Sequence, residues 1–116
     1  MTWRDQLRRS IRTLEQLEAV VELTDDEREA VRTLGSRFRL GITPYYASLM
    51  GGPDCPVRRQ AIPTLAEAVL VPGETSDPLA EDAHVVAPGL TRRYPDRALL
   101  FVSPTCAVYC RHCTRR

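Results

Sequence analysis

The sequence predicts an α/β protein in which a mainly helical N-terminal region leads into a buried strand and a cysteine-rich loop. Helical spacing and capping residues occur throughout residues 1–71. The apolar run at 98–102 does not alternate with polar residues, which is typical of a strand buried on both faces of a parallel sheet. Closely spaced cysteines follow it. In barrel-like α/β folds, the functional residues lie on the loops at the carboxyl ends of the strands. We therefore divide the chain into a helical region (1–71), a connector (72–97) and a first barrel strand with its loop (98–116).

The first two helices are predicted from spacing and caps. Apolar residues recur every three or four positions from Trp3 to Val21 and predict one amphipathic helix with a single buried stripe. Thr24 and Glu27 form a capping box, which predicts that a second helix covers residues 24–34.

Shorter elements are predicted further along the chain. Alternation around residues 38–42 indicates a short extended piece. Each of three short helices begins at a proline or a threonine cap, and one more turn of helix is expected inside the connector. These helices cover residues 44–50, 56–61 and 64–70, with the extra turn around 78–82.

The composition bounds the class of protein. The chain has 116 residues, of which 43% are hydrophobic and 27% charged, as in ordinary globular domains and unlike disordered chains. The longest clean apolar run is far shorter than the ~20 residues that span a membrane. With a net charge of +1, no general nucleic-acid binder is expected. We expect no membrane association, and the absence of a secretory leader favours the cytoplasm.

The basic residues are unusual in kind and position. All sixteen are arginines, so this chain contains no lysine that could form a Schiff base with pyridoxal phosphate. Residues 89–116 hold six arginines and one acid, whereas residues 1–88 hold ten arginines and fourteen acids. Guanidinium forks suit phosphate and carboxylate groups. A solvated basic face explains the same segregation without any ligand.

Three cysteines with C-x3-C-x2-C spacing, Cys106, Cys110 and Cys113, are the main candidates for chemistry. Disulfides are one reading, and structural zinc with Cys55 or His112 as fourth ligand is another. The third reading is a [4Fe–4S] cluster, which thiolates hold. Three thiolates would leave one iron open, and the amino and carboxylate groups of S-adenosylmethionine can chelate such an iron.

The loop resembles the signature of radical S-adenosylmethionine enzymes, and its surroundings resemble the lysine 2,3-aminomutase family. The resemblance covers nearly the whole chain and about the first third of a typical member. It is carried by Cys106-Ala-Val-Tyr-Cys-Arg-His-Cys-Thr-Arg-Arg116, Pro88-Gly-Leu-Thr-Arg-Arg-Tyr-Pro-Asp-Arg97, Thr43-Pro-Tyr-Tyr46, Cys55-Pro-Val-Arg-Arg-Gln-Ala-Ile-Pro-Thr64, Asp77-Pro-Leu, Leu14-Glu-Gln-Leu17 and Leu23-Thr24.

The resemblance implies a fold, cofactors and site residues. The fold is the start of a partial TIM-like radical S-adenosylmethionine barrel, truncated here, and the cofactors are a [4Fe–4S] cluster, S-adenosylmethionine and pyridoxal 5′-phosphate. The implied roles are cluster ligation by Cys106, Cys110 and Cys113, a contact with the S-adenosylmethionine carboxylate by Arg115, phosphate binding by Arg93 and Arg97, and packing beside the pyridine ring by Tyr94. Arg93 and Arg97 are four apart, which on a helix makes one phosphate-binding face.

The resemblance also implies an activity: an isomerase that moves an amino group from C2 to C3 of lysine or a related amino acid, with no turnover expected from this chain alone. Two alternatives stay open, a glutamate 2,3-aminomutase and, in another class, a small zinc-binding interaction module. The implied partners are an amino-acid substrate and a flavodoxin or ferredoxin as electron donor. A homo-oligomer is compatible with the family.

Overall fold

The computed structural model describes residues 1–114, which form two compact units. The first unit comprises Met1–Leu70 together with the chain from Cys106 onward, and the second is Val71–Thr105. The first unit is built from short helices and contains the cysteine loop. The second is a small antiparallel sheet. The predicted α/β class is therefore confirmed, and the described residues do not show the barrel of which only the first strand was expected here.

Short helices with clear caps form the first unit. Thr24 accepts the backbone N–H of Glu27 at 3.2 Å, which starts the helix Asp25–Leu34 as predicted, and prolines start two further helices at predicted places. Within residues 1–114, no helix has the length and apolar character that crossing a membrane requires. The helices are α1 (Trp3–Arg8), α2 (Leu14–Glu18), α3 (Asp25–Leu34), α4 (Pro44–Ser48), α5 (Pro56–Arg59) and a 3₁₀ helix (Leu65–Ala68).

The single helix predicted from Trp3 to Val21 is wrong, because the chain forms α1 and α2 with a break between them. At the break, Ile11 exchanges backbone hydrogen bonds with Ile42, 2.8 Å in one direction and 3.1 Å in the other. Thr13 then caps α2. The stripe has helical spacing, but this tertiary pairing replaces the helical hydrogen bonds around Ile11.

The core of the first unit lies around the extended residue Ile42. Ile42 and Leu17 have no exposed surface, and Leu34 on α3 is 2% exposed. Ile42 bridges Ile11 on one side and Val108 on the other. The cysteine loop is thus attached directly to the middle of the apolar core.

A buried ion pair ties α3 to α5. Arg58 is 4% exposed and Glu27 is 8% exposed. Nε and Nη2 of Arg58 donate to the two carboxylate oxygens of Glu27 at 2.8 and 2.6 Å, and the backbone carbonyls of Gly51 and Glu22 also accept from this guanidinium. The pair is well supplied with hydrogen bonds, as a buried pair must be.

The second unit is a three-stranded antiparallel sheet with the order β1-β2-β3. A 3₁₀ helix (Asp82–His84) precedes β1 (Val85–Ala87), β2 (Leu90–Tyr94) and β3 (Arg97–Leu100). Pro88 and Gly89 turn the chain between β1 and β2. The φ of Gly89 is +74°, which suits glycine at the third position of a tight turn. Pro95 and Asp96 make the second turn.

The strand predicted at 98–102 exists in part, but its predicted environment is wrong. It pairs antiparallel with β2, and Leu100 and Phe101 are 63% and 52% exposed. The segment 72–97, taken as a connector, supplies the other two strands. The apolar run suggested burial on both faces, whereas the turns at Pro88-Gly89 and Pro95-Asp96 fold it into a hairpin.

Candidate functional site

The cysteine loop is held along its first half by backbone pairing with the core. Thr43 donates its N–H to the carbonyl of Ala107 at 3.1 Å, and Tyr109 donates to the carbonyl of Gly41 at 3.0 Å. A Cβ on Gly41 would lie 2.4 Å from Cδ2 of Tyr109, so only glycine leaves room for this ring. The residues between Cys106 and Cys110 therefore run alongside the extended segment 41–43 and are hydrogen-bonded to it.

The second half of the loop is held by Arg111. Its N–H donates to the carbonyl of Gln60 at 2.8 Å, and its Nε lies 3.1 Å from both carboxylate oxygens of Glu67. Nη2 of Arg111 donates to the same carboxylate, and the guanidinium carbon lies 5.5 Å from the ring centroid of Phe38. The side chain is only 10% exposed. Our interpretation of the sequence did not single out Arg111.

All four cysteines are thiols, and they differ in exposure. Cys106 and Cys113 are exposed, whereas Cys110 and Cys55 are half-buried. The N–H of Cys113 donates to the carbonyl of Cys110 at 3.2 Å, so a tight turn joins the last two loop cysteines. The hypothesis that these cysteines form disulfides is therefore wrong.

Tyr46 lies close to both half-buried thiols. Its hydroxyl donates to the carbonyl of Val57 at 3.1 Å and to Oε1 of Gln60 at 3.3 Å. Burial raises the pKa of Tyr46, and the charges of Cys110 and Cys55 raise it further. The phenol therefore stays neutral and links α4, α5 and the region of the loop.

Cys55 directly precedes α5, and the pKa of its thiol is lower than that of an ordinary cysteine. The pKa of Cys55 is lowered first by the backbone N–H of Gly51, then by that of Arg58, with smaller contributions from Val57 and the Arg58 charge. Stabilisation of a thiolate by backbone N–H groups at a helix start is a general effect.

The loop fits an iron–sulfur cluster by its donor chemistry. Three thiols extend from one loop whose backbone is fixed to the core, and thiolates are the usual cluster ligands. Among the described residues 1–114, no group of three His, Cys, Asp or Glu side chains surrounds a single ion position. A cluster does not demand such a point, because each thiolate binds a different iron.

The residues assigned to the phosphate lie in the second unit, on a hairpin and not on a helix. Arg93 is on β2 and Arg97 begins β3, so a shared helical face was wrong. Nη1 of Arg93 donates to the carbonyl of Leu79 at 2.7 Å. Arg97 donates twice to Asp96, at 3.0 and 2.8 Å, and lowers the pKa of that carboxyl.

Tyr94, the third residue assigned to the pyridoxal phosphate, lies beside Arg97. Its Cα pairs with that of Arg97, and the guanidinium of Arg97 lies 5.4 Å from its ring centroid. Hairpin pairing thus brings two of the three predicted residues together, and Arg93 is on the same strand as Tyr94. The exposed ion pair of Arg97 with Asp96 accounts for this guanidinium without any ligand. Arg115 lies outside the described residues.

Comparison with known proteins gives a consistent relationship. The chain is 48% identical to the L-lysine 2,3-aminomutase of Clostridium subterminale and 49% identical to that of Bacillus subtilis, each over 98% of this chain. It is 40% identical to the glutamate 2,3-aminomutase of Clostridioides difficile over 96% of this chain. The chain spans only 28%, 25% and 26% of the length of these relatives. No family model matches.

These relatives are 2,3-aminomutases, which are isomerases. More particularly, the chain belongs to the L-lysine 2,3-aminomutase family, as a segment equal to about a quarter of the length of its members.

Proposed function

We propose that this chain is the cluster-binding segment of a radical S-adenosylmethionine 2,3-aminomutase acting on lysine or a related amino acid. The observation that carries the proposal is the anchored C-x3-C-x2-C loop in a sequence 48–49% identical to lysine 2,3-aminomutases. Glutamate is the second candidate substrate, supported by the 40% identical glutamate 2,3-aminomutase.

The roles of the loop residues in this proposal are to bind and position. Cys106, Cys110 and Cys113 would hold a [4Fe–4S] cluster, which when reduced would supply the one electron that breaks the sulfonium C–S bond of S-adenosylmethionine and so gives methionine and a 5′-deoxyadenosyl radical. Pairing with residues 41–43 fixes the start of the loop. Arg115 is proposed to contact the S-adenosylmethionine carboxylate.

The second unit would take the phosphate of pyridoxal 5′-phosphate. Arg93 and Arg97 carry the positive charge for it, and the Tyr94 ring offers a surface for the pyridine ring. For Arg97 to serve, its exposed pair with Asp96 must open, which costs little because such pairs are weak. This chain has no lysine, so the Schiff base must come from outside it.

The setting follows from the chemistry of the cluster. A low-potential cluster that needs an external electron fits a reducing cytoplasm, with a flavodoxin or ferredoxin as donor. Self-association into a homo-oligomer is part of the proposal as well.

Iron content after anaerobic reconstitution tests the cluster assignment. We expect about four irons per chain with visible charge-transfer absorption. Cys110→Ser should lose both, whereas Cys55→Ser should keep both and is the matched control, since Cys55 is also a half-buried thiol but lies outside the loop. One zinc per chain without colour would establish the zinc-binding module instead.

Equilibrium dialysis against pyridoxal 5′-phosphate tests the phosphate site. Arg93→Ala and Arg97→Ala should each weaken binding about tenfold, the size of one charge-assisted hydrogen bond. Arg92→Ala is the control, because Arg92 donates to the carbonyl of Pro95 and has no proposed ligand role. Equal effects of all three substitutions would mean that only general positive charge is involved.

A further inference from the structure

Arg111 carries a largely buried guanidinium in a loop whose first and last residues are exposed. It lies between two proposed ligands, Cys110 and Cys113, and its side chain is 10% exposed. Burying a guanidinium is costly unless a carboxylate compensates it. Here Glu67 compensates it through both of its oxygens.

Glu67 is itself held in place. It lies in the 3₁₀ helix Leu65–Ala68, and its Oε1 accepts the N–H of Thr64 at 3.3 Å. Phe38 presents its ring to the Arg111 guanidinium, which adds a cation–π contact. The backbone of Arg111 is fixed independently by Gln60. Both ends of this residue are therefore fixed to parts of the first unit other than the loop.

We propose that Arg111 is the positioning residue of the cysteine loop and that Glu67 holds it, so that Cys110 and Cys113 are kept at fixed places. Because the Glu67 carboxylate neutralises the Arg111 guanidinium, the pair adds no net charge beside the two cysteines. Arg111 binds no iron in this proposal. It acts through the two neighbouring cysteines: Cys110 lies one position before it and Cys113 lies two positions after it. The charge part of the inference rests on the proposed function, whereas the positional part does not.

Two variants remove one partner each and leave opposite charges. Glu67→Gln leaves the guanidinium uncompensated, and Arg111→Met keeps an apolar stem while leaving the carboxylate uncompensated. Arg111→Lys keeps the charge but cannot form the fork. Glu29→Gln is the control, because it breaks the exposed Arg32–Glu29 pair on α3.

The first measurement uses the metal-free, reduced protein and iodoacetamide, with each cysteine followed by peptide mass spectrometry. We expect the alkylation rate of Cys110 relative to Cys55 to rise about tenfold in Glu67→Gln, Arg111→Met and Arg111→Lys. Cys55 is also half-buried but directly precedes α5, outside the loop, so general unfolding would accelerate both. An unchanged ratio in all three variants would overturn the inference and leave the pair a purely stabilising one.

The second measurement is the reduction potential of the reconstituted cluster. Glu67→Gln should raise it and Arg111→Met should lower it, because a nearby cation favours the more negative reduced cluster and an anion disfavours it. Arg111→Lys and Glu29→Gln should leave it near wild type. Shifts of the same sign in the two opposite variants would contradict the charge part.

The two arms separate this inference from the proposed function. If the wild type binds no iron but the alkylation ratio rises as expected, the positional inference stands and the proposed function fails. If iron binds and the ratio does not change, the reverse holds.

Discussion

At the residue scale, the buried Arg58 and the largely buried Arg111 hold the first unit together by the same chemistry. Each uses a guanidinium fork on a carboxylate at the third position of a short helix, Glu27 and Glu67 respectively. A carboxylate at that position also accepts the cap N–H, at Thr24 or Thr64. One acidic side chain thus caps a helix and neutralises a buried cation.

Glu67 and Glu27 also mark the limit of what the sequence reveals at this scale. Both capping boxes are readable from a spacing of three residues. Their arginine partners lie 31 and 44 residues away, and no local pattern connects them. The one available signal for Arg111 was its place inside the cysteine motif, because a charged residue there must be either solvated or paired.

Glu27 should make stability depend on acid. Burial raises the pKa of Glu27, but hydrogen bonds from Arg58 and Thr24 and the Arg58 charge outweigh it, so the pKa lies below the ordinary 4.5. The carboxylate therefore stabilises the folded state fully above pH 4.5, and this is lost as pH falls through the lower folded pKa. Glu27→Gln should cost about 3 kcal/mol at neutral pH and should flatten the acid limb.

Urea unfolding at a series of pH values measures this prediction. Asp54→Asn is the matched control, since it breaks the exposed Arg59–Asp54 pair and should leave the unfolding midpoint unchanged. Equal acid sensitivity of wild type and Glu27→Gln would show that another group is responsible.

At the scale of elements, the important contact is between the cysteine loop and the extended segment 41–43. This short pairing uses Ile42 as a bridge to both Ile11 and Val108. The sequence predicted an extended piece there but not its two partners. Those partners explain why the predicted first helix is broken, since Ile11 uses its backbone groups for the bridge.

Gly41→Ala should loosen this contact, because the new Cβ would overlap the Tyr109 ring. We expect a loss of about 1–3 kcal/mol, typical of overpacking. Thermal unfolding measures it, and Gly52→Ala is the control because a Cβ there meets no atom within 4 Å.

A second change tests the cause. Adding Tyr109→Ala to Gly41→Ala removes the overlap, so the two effects should be strongly non-additive. Additive losses would mean that the alanine acts through the backbone and not through the ring.

For the strands, the sequence predicted an element but assigned it the wrong neighbours. The apolar run at 98–102 was interpreted as one strand of a parallel sheet, but an apolar run does not specify its partner strands. Turn dipeptides at Pro88-Gly89 and Pro95-Asp96 do specify neighbours, and they place β3 beside β2. The same pairing places Arg93 and Arg97 on a hairpin and not on the expected helix, and it brings Tyr94 beside Arg97.

At the scale of the whole molecule, the chain is a segment of the lysine 2,3-aminomutase family with a helical unit and a small sheet. The helical unit contains the three loop thiols, and the sheet contains the arginines proposed for the phosphate. The family was readable from motifs because ligand spacing and glycine positions are local properties. The fold of the sheet and the partner of Arg111 were not, because both depend on contacts between distant residues.

The central claim is that three cysteines leave one iron of the cluster open to S-adenosylmethionine. Electron paramagnetic resonance of the reconstituted, anaerobically reduced protein tests it most directly, with spectra recorded before and after S-adenosylmethionine is added. The account predicts a cluster signal whose g-values shift on addition, and no shift when 5′-methylthioadenosine, which lacks the amino and carboxylate groups, is added in its place. A cluster signal that is identical with and without S-adenosylmethionine would contradict the account.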